Sequence, residues 1–159
     1  MSKAVLISIR PKWCELIASG KKTVEVRKTA PKIEPPFKCY IYCTKPSFEH
    51  EDFIPLENGR FIYGGGKVIG EFVCDRITEI HLTDEGYDFD VSKMTCLKYE
   101  EMEAYLCRKN GYGWHISDLV IYDDPKKLSE FTGLRKTKFG YAPYEITRPP
   151  QSWCYVEEE

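Results

Sequence analysis

The chain has 159 residues, of which 42% are apolar, 14% aromatic and 30% charged, and its 23 Lys and Arg against 25 Asp and Glu give a net charge of −2. One domain over residues 1–159 is expected, because domains commonly run to about 100–200 residues and a chain this long buries roughly 70% of the surface its unfolded form exposes. The N-terminal apolar stretch, Ala4 to Ile9, is interrupted by Ser8 and is far short of the roughly 18 residues of a membrane span, and no small-residue cleavage site follows, so neither a membrane protein nor a secretory leader is expected and the cytoplasm is the default compartment.

Val5, Ile7 and Ile9 alternate with Leu6, Ser8 and Arg10, the period of a first strand that turns polar on one face at its C-terminal end. Pro11 suits a first helical turn, where its missing N–H costs nothing. A helix from Pro11 to Ser19 follows, with Trp13, Leu16 and Ile17 on its apolar stripe and Gly20 as a left-handed cap. TVEVRK is the next strand, with Val24 and Val26 on one face and Thr23, Glu25 and Arg27 on the other. Three prolines between Thr29 and Phe37 make a loop before a strand over Lys38 to Thr44. Pro46 to Gly66 is the least regular part. Gly64-Gly65-Gly66 reads as a turn into a strand over Lys67 to Ile77, and a helix is expected around Leu97 to Lys109, stopped by Asn110-Gly111. HISDLVIYDD reads as a strand ending before Pro125, Ser129 to Pro150 as loop-rich, and SWCYVEE as a short closing strand. Mixed strands with two helices suit an α+β domain built on a curved sheet or small barrel.

The seven cysteines form no CxxC pair, so reduced, mostly buried thiols are expected, with neither a disulfide scaffold nor structural zinc. Cys39 and Cys43, four apart in KCYIYC, fall on one face of a strand. His50, His81 and His115 are widely spaced, GGGK at 64–67 lacks the spacing of a phosphate loop, and no nucleophile elbow is present, so no metal or cofactor is expected.

The densest polar cluster is SGKKTVEVR, residues 19–27. Lys21 and Lys22 sit in a turn after a helix, Glu25 and Arg27 share a strand face, and Ser8, Arg10 and Lys12 flank the same short helix. An Arg and two Lys around one carboxylate suit a phosphate or a polar base edge. The competing interpretation is an exposed edge on which Glu25 and Arg27 form a surface ion pair of little worth. Charge is lopsided: residues 1–48 carry ten basic and three acidic side chains, net +7, and the remainder is net −9. Such a chain can offer a basic face to a phosphate-bearing partner, and equally its charges can intermix on a solvated surface once folded. A nucleobase also needs a flat surface, for which Trp13, Tyr40, Tyr42, Tyr144, Trp153 and Tyr155 are candidates. Trp13 belongs to the helix's apolar stripe, so Trp153, after Pro149-Pro150-Gln151-Ser152, is the preferred stacking residue.

SIRPKWCELIASGKKTVEVRK resembles the ASCH domain, of the PUA-like superfamily, whose hallmark G-x-K-x-x-E-x-R is here Gly20, Lys22, Glu25 and Arg27. IGEFVCDRI resembles the family's central strand, and HISDLVIYDDPKKLSEF with RPPQSWCYVEE resembles the C-terminal half of longer, often phage-borne members. The resemblance implies an α+β fold, a small curved PUA-like β-barrel with flanking helices and a cleft lined by the motif. It also implies RNA or nucleotide binding. Some relatives hydrolyse the acetyl amide of N4-acetylcytidine with a lysine, a threonine and a glutamate. Lys22 matches that lysine, but Glu25 stands at the threonine, and a carboxylate there is expected to keep Lys22 protonated. Three functions follow as expectations. The first is an RNA or modified-nucleotide binding module, with Lys22, Arg27, Lys12, Lys21, Ser8 and Arg10 around the ligand, Glu25 on a base edge and Trp153 stacking. The second is an amidohydrolase or nuclease with Lys22 and Glu25 catalytic. The third is a protein-interaction module using the acidic half. Oligomeric state is not legible in the sequence.

Overall fold

A computed structural model describes residues 2–45, 53–87 and 92–159, with the side chains of Asn58 and Ser92 outside the description. Strand β1 (Lys3–Ile9) leads through helix α1 (Pro11–Ala18) to β2 (Val24–Arg27), and β3 (Phe37–Cys43) follows the proline-rich loop. The hairpin β4 (Phe53–Pro55) and β5 (Phe61–Tyr63) precedes the long strand β6 (Lys67–Ile80) and the small hairpin β7 (Leu82–Thr83) and β8 (Gly86–Tyr87). Helices α2 (Ser92–Thr95) and α3 (Tyr99–Leu106) then lead to β9 (Gly111–Lys126), β10 (Thr132–Thr137), β11 (Gly140–Glu145) and β12 (Trp153–Glu157).

Eight strands form one sheet in the order β11-β10-β12-β1-β3-β6-β9-β2. β1 pairs parallel with β3, and the other ladders are antiparallel. The ladder is open, with β11 and β2 at its edges, so the hydrogen-bonded barrel implied by the family resemblance is not closed among the described residues. The sheet is nevertheless curled. Its longest strands, β6 and β9, slip register at three places, between Val68 and Gly70, between Glu71 and Val73, and between Cys74 and Ile77, and bulges of this kind bend a strand and increase its twist.

The curl gives the sheet a buried interior. Val5, Ile7, Ile9, Cys39, Ile41, Phe72, Cys74 and Trp114 pack there with Cys14 and Ile17 of α1 and with Ile54 and Ile62 of the β4–β5 hairpin. A second cluster, Ala4, Leu6, Tyr40, Tyr42, Val68, Phe131, Ile146 and Val156, covers the opposite face. This is why β1 is buried on both faces, where alternation alone indicates one. A third cluster seats α3 on the sheet edge through Val26, Ile80, Tyr87, Met102 and Leu106. The seven cysteines are free thiols, and Cys39 and Cys43 share the interior face as their spacing requires.

Several elements differ from the sequence expectation. Ser129 to Pro150 is mainly the β10–β11 hairpin; Gly133, Gly140 and Pro143 dilute its alternation. β9 starts at Gly111 and runs through Pro125, and α3 stops at Leu106, where Cys107 and Arg108 take left-handed conformations before Asn110 is reached. Gly20 has a φ of 81°, as its capping position requires. Within the stretch from Pro46 to Gly66, residues 46–52, including His50, lie outside the described residues.

β6 passes close to β9 at Gly70: a Cβ there would run into the Val120 carbonyl and the Ile121 backbone. Gly70→Ala is expected to cost about 1–3 kcal/mol in urea unfolding, the usual range for overpacking. An unchanged midpoint would show that the bulged pair can spread.

Candidate functional site

The cleft lies at the C-terminal end of β1, where α1, the edge strand β2, α3 and residues 151–152 meet. Its volume is about 620 Å³. Pro11 starts α1 directly after β1, and the helix ends in a tight reversal in which the Gly20 N–H donates to Ile17 O and the Lys22 N–H to Leu16 O. This turns Lys22 back beneath the helix and sends β2 along the cleft wall. Because side chains alternate along β2, Glu25 and Arg27 face the cleft, while Val26 anchors the cluster under α3.

Burial overturns the surface-pair interpretation. Lys22, Glu25 and Arg27 are 1%, 6% and 8% exposed. Glu25 Oε1 is 3.9 Å from both Lys22 Nζ and Arg27 Nε, so one carboxylate oxygen is shared between two cations. Lys22 Nζ donates to Thr95 O at 2.7 Å and lies 5.0 Å from the centre of the Trp13 ring. Arg27 Nη2 donates to Ser8 O at 2.6 Å, and Nη1 reaches the carbonyl and hydroxyl oxygens of Ser152. Ser8 in turn donates its N–H to Ser152 O and its hydroxyl to Pro150 O. Glu25 Oε2 is buried with no hydrogen-bond partner among the described residues.

Burial pushes the Lys22 ammonium below the ordinary lysine value, and Glu25 only partly opposes this. Glu25 thus acts in the expected direction, favouring the protonated lysine, but burial outweighs it. The donor set, two cations and one carboxylate, suits an anion or a polar organic group better than a metal ion.

The other candidates divide. Ser8, Arg10, Lys22, Glu25 and Arg27 line the cleft. Lys12 stands at its rim, over the Trp13 ring at 4.7 Å and 3.9 Å from Glu101. Lys21 is exposed and outside the lining; its carbonyl accepts from the Cys96 thiol. Trp153 is not in this cleft and lines a neighbouring groove with Tyr155. Tyr40 and Tyr42 are core, and Tyr144 packs against the same cluster. The cleft's aromatics are instead Trp13 and Tyr105. Trp13 lies on the expected apolar stripe, packed against the core beside Cys14 and Ile17, but it is only half-buried and so also lines the cleft. Sequence reasoning also missed Lys28 and Tyr105, whose ammonium and ring lie 5.1 Å apart. Lys28 directly follows the motif's Arg27 and could have been included; Tyr105 gives no local signal. His81 pairs with Glu79, and His115 with Thr78, away from the cleft.

Between the lowered Lys22 value and the ordinary 10.5, the unfolded chain carries a proton that the folded chain has released, so this group makes stability rise with pH across that window. Wild type is expected to gain stability relative to Lys22→Met as pH is raised toward 10.5 in urea titrations. A difference that stays constant would contradict a depressed lysine.

The sequence model of the ASCH domain family matches residues 7–149. Among solved structures, an ASCH protein from Zymomonas mobilis is similar with a TM-score of 0.60 at 19% identity, covering 98% of this chain and 88% of that one. A tyrosine-to-phenylalanine mutant of the same protein gives 0.61 at 18% identity, covering 99% and 92%. No curated protein matches the chain. The structural likeness speaks for the fold, and the match over most of the sequence speaks for descent. The chain belongs to the ASCH domain family.

Proposed function

We propose that the cleft binds one unpaired base of RNA, or a free nucleotide, and that the protein is an RNA or modified-nucleotide binding module. The observation that carries this reading is Glu25, a residue of the cleft lining beside two cations and the Trp13 ring, whose Oε2 is a buried acceptor without a donor among the described residues. A buried polar atom left unpaired costs about 1–3 kcal/mol, more when charged, and a ligand N–H removes that cost. The amino group of cytosine is a natural partner for a carboxylate. Trp13 supplies a flat surface, and stacking on such a ring contributes about 1–3 kcal/mol per base. Arg10, Lys12 and Lys28 stand at the exposed rim, where phosphates meet solvent. A cleft of about 620 Å³ has room for a nucleotide but not a duplex, which agrees with the general rule that sequence-selective RNA recognition targets splayed, single-stranded bases.

The test is calorimetric titration with cytidine monophosphate and its N4,N4-dimethyl analogue, which has no N4–H. Wild type is expected to bind the first about 10–100-fold more tightly, the equivalent of one charge-assisted hydrogen bond. Glu25→Gln is expected to lose most of that preference. Equal binding of the two ligands by wild type would remove Glu25 from base recognition.

A second reading is favoured by the depressed Lys22. An ammonium that holds its proton less tightly can deliver it to a leaving amine while Glu25 takes a proton from attacking water, the division of labour that hydrolysis of an acylated cytidine needs. Under this reading N4-acetylcytidine is converted to cytidine, with turnover at least 100-fold slower in both Lys22→Ala and Glu25→Gln, measured by chromatography. Binding without turnover in wild type would leave the module reading alone.

A further inference from the structure

Beside the cleft lies a second concavity of about 290 Å³, lined chiefly by Lys32, Leu134, Lys136, Tyr141, Trp153 and Tyr155. Its origin is the register of one hairpin. β10 pairs with β12 only at Gly133 and Val156, so the β10–β11 hairpin leaves the sheet beyond that point and a groove opens between it and β12. Trp153 and Tyr155, two apart on β12, share the face that looks into it. Tyr141 faces them from β11, and Lys136 is its direct ladder partner on β10.

The rings stand nearly perpendicular to one another. Trp153 and Tyr155 meet at 78° with centres 5.3 Å apart, and Tyr141 and Tyr155 meet at 73° at 5.6 Å. Trp114 backs Trp153 from the core. Lys3 Nζ lies 4.1 Å from the Tyr141 ring centre and 5.1 Å from that of Tyr155. The hairpin is basic within an acidic half of the chain: residues 132–145 carry Arg135, Lys136 and Lys138 against Glu145 alone, and Phe139 at its tip is 99% exposed. Glu157, paired with Lys3 at the far end of β12, is the carboxylate nearest in register.

Thr29 joins the two concavities. It lines the cleft, its hydroxyl accepts from Trp153 Nε1 at 2.9 Å and its carbonyl accepts from Trp114 Nε1 at 3.3 Å. The Lys32 N–H donates to the Tyr155 hydroxyl at 2.8 Å. The wall between cleft and groove is therefore a fixed strap, held by two indoles and a phenol.

We propose that the groove is a second base subsite, so that the protein takes a single-stranded oligonucleotide whose chain passes over Thr29. This inference rests on the nucleotide reading of the cleft and extends it. Tyr141 and Tyr155 offer ring faces to a base, and Lys3, Lys32 and Lys136 neutralise the adjoining phosphates, the combination of stacking platform and basic groove that binds single strands without strict sequence preference.

The experiment is fluorescence anisotropy with labelled single-stranded RNA and DNA octamers and the matched duplex, alongside calorimetry with cytidine monophosphate. Tyr141→Ala and Lys136→Glu are expected to weaken octamer binding at least tenfold each and to leave the mononucleotide within twofold of wild type. Lys136→Glu, which keeps every ring, separates lost binding from lost folding, and is also expected to lower the salt slope. Octamer and mononucleotide affinities unchanged in both variants overturn the second subsite and leave the cleft reading standing. Tighter binding of the duplex than of either single strand also overturns it, because paired bases cannot stack on these rings. Failure of wild type to bind either ligand overturns both readings, whereas binding of the mononucleotide without the octamer overturns the second subsite alone.

Discussion

The guanidinium of Arg27 spans the gap that the ladder leaves open. β2 is one edge of the sheet and is separated from β1 by three strands, yet Arg27 donates to the carbonyl of Ser8 at the end of β1 and to Ser152 just before β12. Side-chain hydrogen bonds thus hold the curl where backbone pairing does not. The same contacts place Glu25 on the cleft wall and fix residues 150–152 as its rim. Desolvating a guanidinium is costly, and the cost is offset only because its planar donors find main-chain carbonyls and a carboxylate within reach.

Glu25 is the consequence with the greatest functional weight. One oxygen of this carboxylate lies between two cations, while the other is buried without a hydrogen-bond partner among the described residues. Lys22 is held differently, by Thr95 O and over an indole, and its burial loosens its hold on a proton. The two proposed readings, binding and proton transfer, therefore draw on the same three side chains. Which of them dominates depends on whether a ligand presents a simple N–H or a cleavable acyl group to Glu25.

Much of the site was legible because the motif is local. Gly20 reverses the chain, and an alternating strand sends Glu25 and Arg27 the same way, so the sequence placed those residues on one wall. Their burial was not legible: it comes from α3, from residues 150–152 and from a sheet curl set by bulges in β6 and β9, none of which leaves a pattern near residue 25. Trp13 sits on the expected apolar stripe, but the sequence does not reveal that it is only half-buried there and also lines the cleft. Trp153 was a reasonable choice of exposed aromatic, but the sequence does not reveal that the β10–β11 hairpin walls it into a separate groove. The long strands and the parallel pairing of β1 with β3 depend on contacts across the whole chain, and only the existence of most strands could be read in advance.

Under the proposed function a base enters the cleft between Trp13 and the side chains of Lys22, Glu25 and Arg27. The most direct measurement is an amide and indole NMR titration with cytidine monophosphate. The largest shifts are expected on the Trp13 indole N–H and the backbone amides of residues 22–28, with the opposite face around Tyr40 and Tyr42 unmoved. Shifts centred on that opposite face, or none at saturating nucleotide, would contradict it.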